Sequence, residues 1–146
     1  MPGQTDRVKT EYIYDALGRL TGVINDSGGK DEMVTTYDYD EVGNKIAQTD
    51  PNIHTKTWIY DDLGRVRKHT LPEGMSEFFT YYPNGNVETK TDFNGRTTAF
   101  HYYPCCGRLE TKTFQGGASV SYTYTGTGRV AGSDPGAPVS RSNSEP

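Results

Sequence analysis

Three aspartates occupy equivalent places in a repeated sequence word and are the first candidates for chemistry. Asp15, Asp40 and Asp61 each follow a tyrosine and precede a glycine by three residues. General acid–base catalysis needs two such groups at a fixed separation around one substrate. Acids at equivalent turns of a repeat instead follow one another along a ridge, and three further copies of the word lack the acid. We therefore interpret these aspartates as turn formers and predict no catalytic residue.

The histidines and cysteines are the candidate metal ligands. His54, His69 and His101 lie in different repeats, without the spacing of a metal motif. Cys105 and Cys106 are adjacent and could form a vicinal disulfide or a soft-metal site. They fall at a predicted turn tip, where side chains are usually exposed and sequence is permissive. The sequence therefore predicts no metal and no cofactor, and favours a cysteine pair without a function.

Composition and charge exclude several classes of protein. The net charge is −4 and the basic residues are scattered, so the basic patch of a nucleic-acid-binding domain is missing. No apolar run approaches the roughly 20 residues of a membrane helix. The first residues lack the apolar core of a secretory signal peptide. A phosphate-binding loop and a Gly-x-Ser-x-Gly nucleophile motif are also missing, so we predict that the chain is not an enzyme.

Six related words recur along the chain, among them "IYDALGRL", "DYDEVGNKI" and "IYDDLGRV". Their glycines are Gly18, Gly43, Gly64, Gly85, Gly107 and Gly128. The steps of 25, 21, 21, 22 and 21 residues indicate a tandem repeat. A second turn, such as "LPEG" or "DFNG", follows most words after ten residues, and "TDPN" takes its place in the second repeat.

Segments rich in Thr, Val, Tyr and Phe separate these turns. Turn signals every 8–12 residues with such segments between them predict consecutive β-hairpins. We therefore predict an all-β fold of about a dozen short antiparallel strands in six tandem hairpin repeats over residues 11–130. Residues 1–10 are predicted to be an N-terminal extension. Residues 131–146 are rich in Ser, Pro and Gly, which predicts a flexible tail.

The residue types at fixed positions of the word predict one turn geometry. Asp61 is favoured at the first position of a type I turn, and Gly64 can take the positive φ that closes a three-residue hairpin loop with a bulge. Tyr60 is expected to pack across the hairpin and Arg65 to face outward. "YPNGN" suggests a two-residue type I′ turn instead. The residues predicted to form turns are Asp15, Gly18, Asp40, Gly43, Asp61, Gly64, Gly85, Gly107 and Gly128.

The aromatic residues could serve either binding or packing. Trp58, Tyr60, Tyr81 and Tyr102 are the candidate binding residues for a glycan or a protein partner, because Tyr and Trp offer flat apolar faces with polar edges. The alternative, which the sequence favours, is that these rings form the packed inner face of the sheet.

The word Tyr-Asp-x-x-Gly-Arg/Asn-Leu/Val, recurring about every 21 residues over 11–130, resembles the YD repeats of Rhs proteins, toxin-complex subunits and teneurins. The resemblance implies a spiralling sheet of hairpins that forms a hollow shell, of which this chain would be an arc. The shell encloses a C-terminal toxin domain in Rhs and toxin-complex proteins and belongs to an adhesion module in teneurins. The implied partners are neighbouring YD repeats of a longer chain, an encapsulated toxin domain and glycans, in a secreted or cell-surface system.

Three functions follow as hypotheses. The first is a structural wall segment of such a shell, and the second is a carbohydrate- or receptor-binding adhesion module that uses exposed aromatic residues. The third is a truncated remnant without activity. "TGRVAGSDPG" also resembles the self-cleaving close of the Rhs core, but Val130 replaces its aromatic residue, so we assign no protease role to Asp134.

Overall fold

All regular structure in the part of the chain that the structure describes is β-strand. The computed structural model describes residues 9–26 and 32–136, in which twelve strands alternate with tight turns. This confirms the predicted all-β fold of tandem antiparallel hairpins. Within these residues no helix could cross a membrane. The chain divides into two compact units, one ending at Met75 and the other beginning at Ser76.

The first unit contains six strands, each paired antiparallel with the next one in the chain. They are β1 (Lys9–Tyr14), β2 (Leu20–Asp26), β3 (Glu32–Tyr39), β4 (Lys45–Thr49), β5 (Thr55–Tyr60) and β6 (Val66–Thr70). The repeated words form the turns after β1, β3 and β5, and the "TDPN" turn lies between β4 and β5.

The second unit repeats this plan with six more strands, again paired in chain order. They are β7 (Ser76–Tyr81), β8 (Val87–Thr91), β9 (Thr97–Tyr102), β10 (Leu109–Phe114), β11 (Ser119–Tyr124) and β12 (Val130–Gly136). The words form the turns after β7, β9 and β11.

A register shift marks every hairpin that is closed by a repeated word. In β5–β6, Ile59 pairs with Lys68 but Tyr60 pairs with Val66, so Arg67 bulges out of the ladder. The other five word hairpins shift at the same place, beside their last strand residue. Such bulges bend a strand and increase its twist. The repeat therefore specifies a local change of strand direction as well as a turn.

The sheet surface is only partly covered. No hydrophobic side chain in the described part of the chain is fully buried. Tyr12 and Tyr14 are more than half exposed, and Trp58 and Tyr60 are half-buried. The aromatic rings of these residues therefore do not form the buried inner face that the sequence favoured. Contacts between neighbouring strands take its place, as expected for a repeat protein in which each unit touches only its neighbours.

The ends of the repeat region differ from the predicted boundaries. β1 begins at Lys9, inside the predicted extension, and β12 occupies Val130–Gly136, inside the predicted tail. β12 pairs with β11 from Tyr124↔Val130 to Ser119↔Gly136. Main-chain pairing with an existing strand does not require alternating side chains. A segment rich in Ser, Pro and Gly can therefore form a strand although its composition predicts a flexible tail. The rest of the predicted tail lies outside the described residues.

Candidate functional site

The turn after β5 shows how the repeated word works. The main-chain N–H of Gly64 donates to the carbonyl of Asp61 at 2.9 Å, and the N–H of Asp61 donates to the carbonyl of Arg65 at 2.9 Å. The Asp61 carboxylate accepts the N–H groups of Leu63 and Arg65 on Oδ1. Gly64 has φ +74°, a conformation that L side chains rarely adopt. The word therefore folds into a three-residue loop fastened by its own acid.

Arg65 does not face outward as predicted. Its Nε lies 2.7 Å from Oδ2 of Asp61, and its side chain is only 26% exposed. The same pairing joins Arg19 to Asp15, at 2.6 Å. In the turn after β3 the amide of Asn44 replaces the guanidinium and donates to Asp40 at 2.9 Å. A residue that the sequence suggested was solvated therefore closes the turn.

These hydrogen bonds lower the pKa of the turn carboxylates. The N–H and then the guanidinium of Arg19 lower the pKa of Asp15, and the Asn44 amide lowers the pKa of Asp40. For Asp61, burial raises the pKa, but the hydrogen bonds from Arg65 outweigh it. Carboxylates held ionised by their own turns are poorly suited to exchange protons with a substrate.

The turn of "YPNGN" differs from its sequence interpretation. Asn84-Gly85 does not form a type I′ turn, because Gly85 donates to the carbonyl of Tyr82, and Tyr82 donates to that of Asn86, as in the other words. Among the described non-glycine residues only Ile53 has a positive φ, so Asn84 lacks the conformation that type I′ requires. The shared bulge after the glycine outweighs the local Asn-Gly preference.

The turn that contains the cysteines has one residue more than the turns of the other words. The N–H of Tyr103 donates to the carbonyl of Arg108, five residues on, whereas every other word closes over four. Tyr82 and Tyr103 stand where three of the words have aspartate. Their hydroxyls donate forward, to the carbonyls of Phe100 and Tyr122, both at 3.1 Å.

Tyrosine hydroxyls fasten successive hairpins to one another. Tyr60 Oη donates to the carbonyl of Lys45 at 2.7 Å, and Tyr39 Oη donates to that of Leu20 at 2.8 Å. In the second unit Tyr124 Oη reaches Leu109 at 2.8 Å. In each case the acceptor lies two residues after the glycine of the preceding word. Burial, and then the charge of Asp40, raises the pKa of Tyr60.

Lysines lie between aromatic rings of neighbouring strands. Lys45 Nζ is 4.5 Å from the ring centroid of Trp58 and 5.5 Å from that of Tyr37. The Trp58 ring also stacks on His69, with 5.0 Å between centroids and 2° between planes. Because β5 lies between β4 and β6, Lys45 and His69 approach the indole from opposite sides. In the second unit Lys112 lies between Phe100 and Tyr122.

Two open grooves contain three of the four predicted binding residues. The first, of about 860 Å³, includes Trp58 and Tyr60 together with Asp40 and Asp61. The second, of about 660 Å³, includes Tyr102, which meets Tyr82 edge-on with 6.1 Å between ring centroids. Tyr81 lines neither groove. Their role in binding stays a prediction.

The predicted metal-ligand candidates are not brought together. No group of three or more His, Cys, Asp or Glu side chains within 9–26 and 32–136 could hold a metal ion. His69 stacks on Trp58, and His54 Nδ1 lies 3.3 Å from Asp50 Oδ2 in its own turn. His69 thus contacts a neighbouring strand, and His54 contacts its own turn.

Comparison with known proteins agrees with this architecture. Solved structures similar to this chain include TcdB2-TccC3 without its hypervariable C-terminal region (TM-score 0.67, 18% identity) and TcdB2-TccC3 itself (TM-score 0.65, 17% identity). The match covers 80% of this chain and 7% of each of those chains. No curated protein sequence matches. Residues 3–136 match the family model described as Teneurin YD-shell, and the chain therefore belongs to that family.

Proposed function

We propose that this chain is a wall segment of a YD-repeat shell and has no catalytic role. Its work is to continue a curved sheet by adding hairpins, each fastened to the one before. The observation that carries the proposal is the set of tyrosine hydroxyl bonds to the preceding hairpin, such as Tyr39 to Leu20 and Tyr60 to Lys45. The tyrosines that precede the turns of the word are thereby occupied in holding the wall.

The edge strand β1 supports a longer wall. Among the described strands it pairs only with β2, all six of its residues are exposed, and it contains neither proline nor glycine. Such an edge presents unpaired main-chain groups to another strand. We propose that further YD repeats of a longer chain pair with it and that the completed shell encloses a toxin domain. A secreted or cell-surface location goes with this proposal.

Self-association tests the edge. We expect the purified chain to associate in a concentration-dependent way in sedimentation velocity experiments. Tyr12→Lys places a charge on β1 and should weaken the association, whereas Tyr12→Phe should leave it unchanged. A chain that stays monomeric at all accessible concentrations would contradict the proposal that β1 accepts a neighbouring strand.

The first groove favours a second candidate function, recognition of a glycan. Trp58 and Tyr60 provide aromatic surface there, and Asp40 and Asp61 provide acceptors for sugar hydroxyls. The contacts of these residues weigh against it. Both faces of the indole are approached by Lys45 and His69, and the Tyr60 hydroxyl is already bonded. A sugar would have to displace one of these groups before it could stack.

A glycan array separates the two functions. The wall proposal predicts no saturable binding by the full chain and a loss of thermal stability in Trp58→Ala. Lys56→Ala, at an exposed position of the same strand that does not line the groove, is the matched control and should be nearly neutral. Saturable binding that disappears in Trp58→Ala while circular dichroism stays unchanged would refute the purely structural function.

A further inference from the structure

The turn after β9 differs from the other word turns in both length and composition. Its extra residue lies in the sequence Tyr-Pro-Cys-Cys-Gly, and both cysteines are free and exposed. Neither thiol takes part in the tyrosine or lysine contacts that fasten the hairpins. The lengthened loop thus presents two nucleophilic side chains that the proposed wall function does not use.

The two thiols lie close enough to act together. Sγ of Cys105 donates to Sγ of Cys106, and the two sulfurs are 3.0 Å apart. The hydrogen bond from the Cys105 thiol, followed by one from the main-chain N–H of Arg108, lowers the pKa of Cys106. The same thiol contact raises the pKa of Cys105. Cys106 is therefore the better nucleophile, and the Cys105 sulfur lies close enough to bind the same atom.

The sulfur separation of 3.0 Å is closer to the one that trivalent arsenic requires than to the one that zinc requires. Two sulfurs on a tetrahedral zinc ion, with Zn–S bonds of about 2.3 Å, lie about 3.8 Å apart. A linear two-coordinate ion would hold them still farther apart. Trivalent arsenic is pyramidal, with bond angles near a right angle, and brings two sulfurs closer together. It also needs only two protein ligands, and in the described residues no third His, Cys, Asp or Glu completes a metal-binding group here.

We propose that Cys105 and Cys106 form a vicinal dithiol site for trivalent arsenicals. The two sulfurs bind one arsenic atom, and its third position stays with the substituent that it brings. Two As–O bonds break and two As–S bonds form. Each thiol proton leaves with an arsenic-bound hydroxyl as water, so two waters are released. Arsenic remains trivalent and neither cysteine is oxidised, so the step needs no other reagent.

Phenylarsine oxide, which water converts to the dihydroxide, is the probe for the full chain, which is first reduced with a phosphine that is then removed. We expect one equivalent to remove two titratable thiols and to add one phenylarsenic group in the intact mass. Cys105→Ser and Cys106→Ser should each bind at least about 100-fold more weakly, because chelation by a second group raises the effective concentration. Circular dichroism should show unchanged strands.

A relocated thiol provides the matched control. Asn84→Cys combined with Cys105→Ser keeps two thiols but places them on turns separated by two strand spacings, about 10 Å, too far to share one arsenic atom. This variant should bind as weakly as the single variants. Binding by the unaltered chain that is no tighter than that of Cys105→Ser would overturn the dithiol site. Zinc binding as tight as that of the arsenical would overturn the selection by sulfur separation.

Discussion

Replacing Ile53 with glycine is the sharpest test of how this fold uses its turns. Ile53 occupies the place of the closing glycine in the turn between β4 and β5. Its N–H donates to the carbonyl of Asp50 at 2.9 Å, and the N–H of Asp50 donates to His54. Its φ is +65°, and no other described non-glycine residue has a positive φ. A β-branched residue in this conformation stores backbone strain.

The expected gain follows from three terms. Holding an L-residue in the left-handed region costs roughly 1–2 kcal/mol, which glycine would remove. Glycine makes the unfolded chain more flexible, which costs about 0.5–1 kcal/mol. The Ile53 side chain is 84% exposed, so little hydrophobic burial is lost. Ile53→Gly should therefore raise the free energy of unfolding of the first unit by about 0.5–1 kcal/mol. That corresponds to a Tm higher by about 2–8 °C for a unit of this size.

The assay is thermal unfolding followed by far-ultraviolet circular dichroism, with urea unfolding in parallel. The reverse change, Gly95→Ile, is the matched control, because Asp92 and Gly95 form the same hydrogen-bonded turn and Gly95 has φ +77°. A Cβ at Gly95 would meet no atom within 4 Å, so the cost of adding it would be conformational rather than steric. An unchanged or lower Tm in Ile53→Gly, together with an unaffected Gly95→Ile, would refute this account of the turn.

Three further outcomes are expected. Tyr60→Phe should lower stability by about 0.5–1.5 kcal/mol because it removes the bond to Lys45, while Tyr12→Phe, at an exposed position, should be neutral in the same urea titration. Asp61→Asn should lower Tm and Asp62→Asn should not, because only Asp61 accepts hydrogen bonds from its turn. Acid should destabilise the chain, and a series of Tm measurements at different pH values would show this. Folding lowers the pKa of four aspartates below the unfolded value of 3.8. The stability that they contribute is therefore full above pH 3.8 and is lost as the pH falls through the folded pKa values. A Tm that is flat below pH 4 would contradict that assignment.

The hairpin fold could be predicted from the sequence because its determinants are local. In the described residues an aspartate and a glycine three positions apart form the same turn, as at Asp61 and Gly64, and the β-rich segments between turns leave few alternatives. Eleven of the twelve described strands follow from that spacing. The strand over Val130–Gly136 could not be predicted in this way, because pairing with β11 rather than its own composition determines it.

The side-chain contacts between hairpins could not be predicted from the sequence. The Tyr60 hydroxyl meets a carbonyl 15 residues earlier, and their proximity depends on the bulges that set the strand register. Arg65 was expected in solvent because a charged residue after a turn usually lies there, yet it folds back on Asp61. The spacing of four residues between aspartate and arginine, which recurs at Asp15 and Arg19, was the signal that could have indicated this pairing.

The side chain of Arg19 also has a partner outside its own turn. Its Nη1 donates to the carbonyl of Asp40, 21 residues on, in the next word. Asn44 in turn lies close to Gly64, one word further. Both contacts reach features that every copy of the word provides, a main-chain carbonyl and a glycine, so neither depends on which copy comes next. Recombination that deletes or duplicates whole hairpins would therefore keep these contacts, so the number of copies can change with little loss of stability.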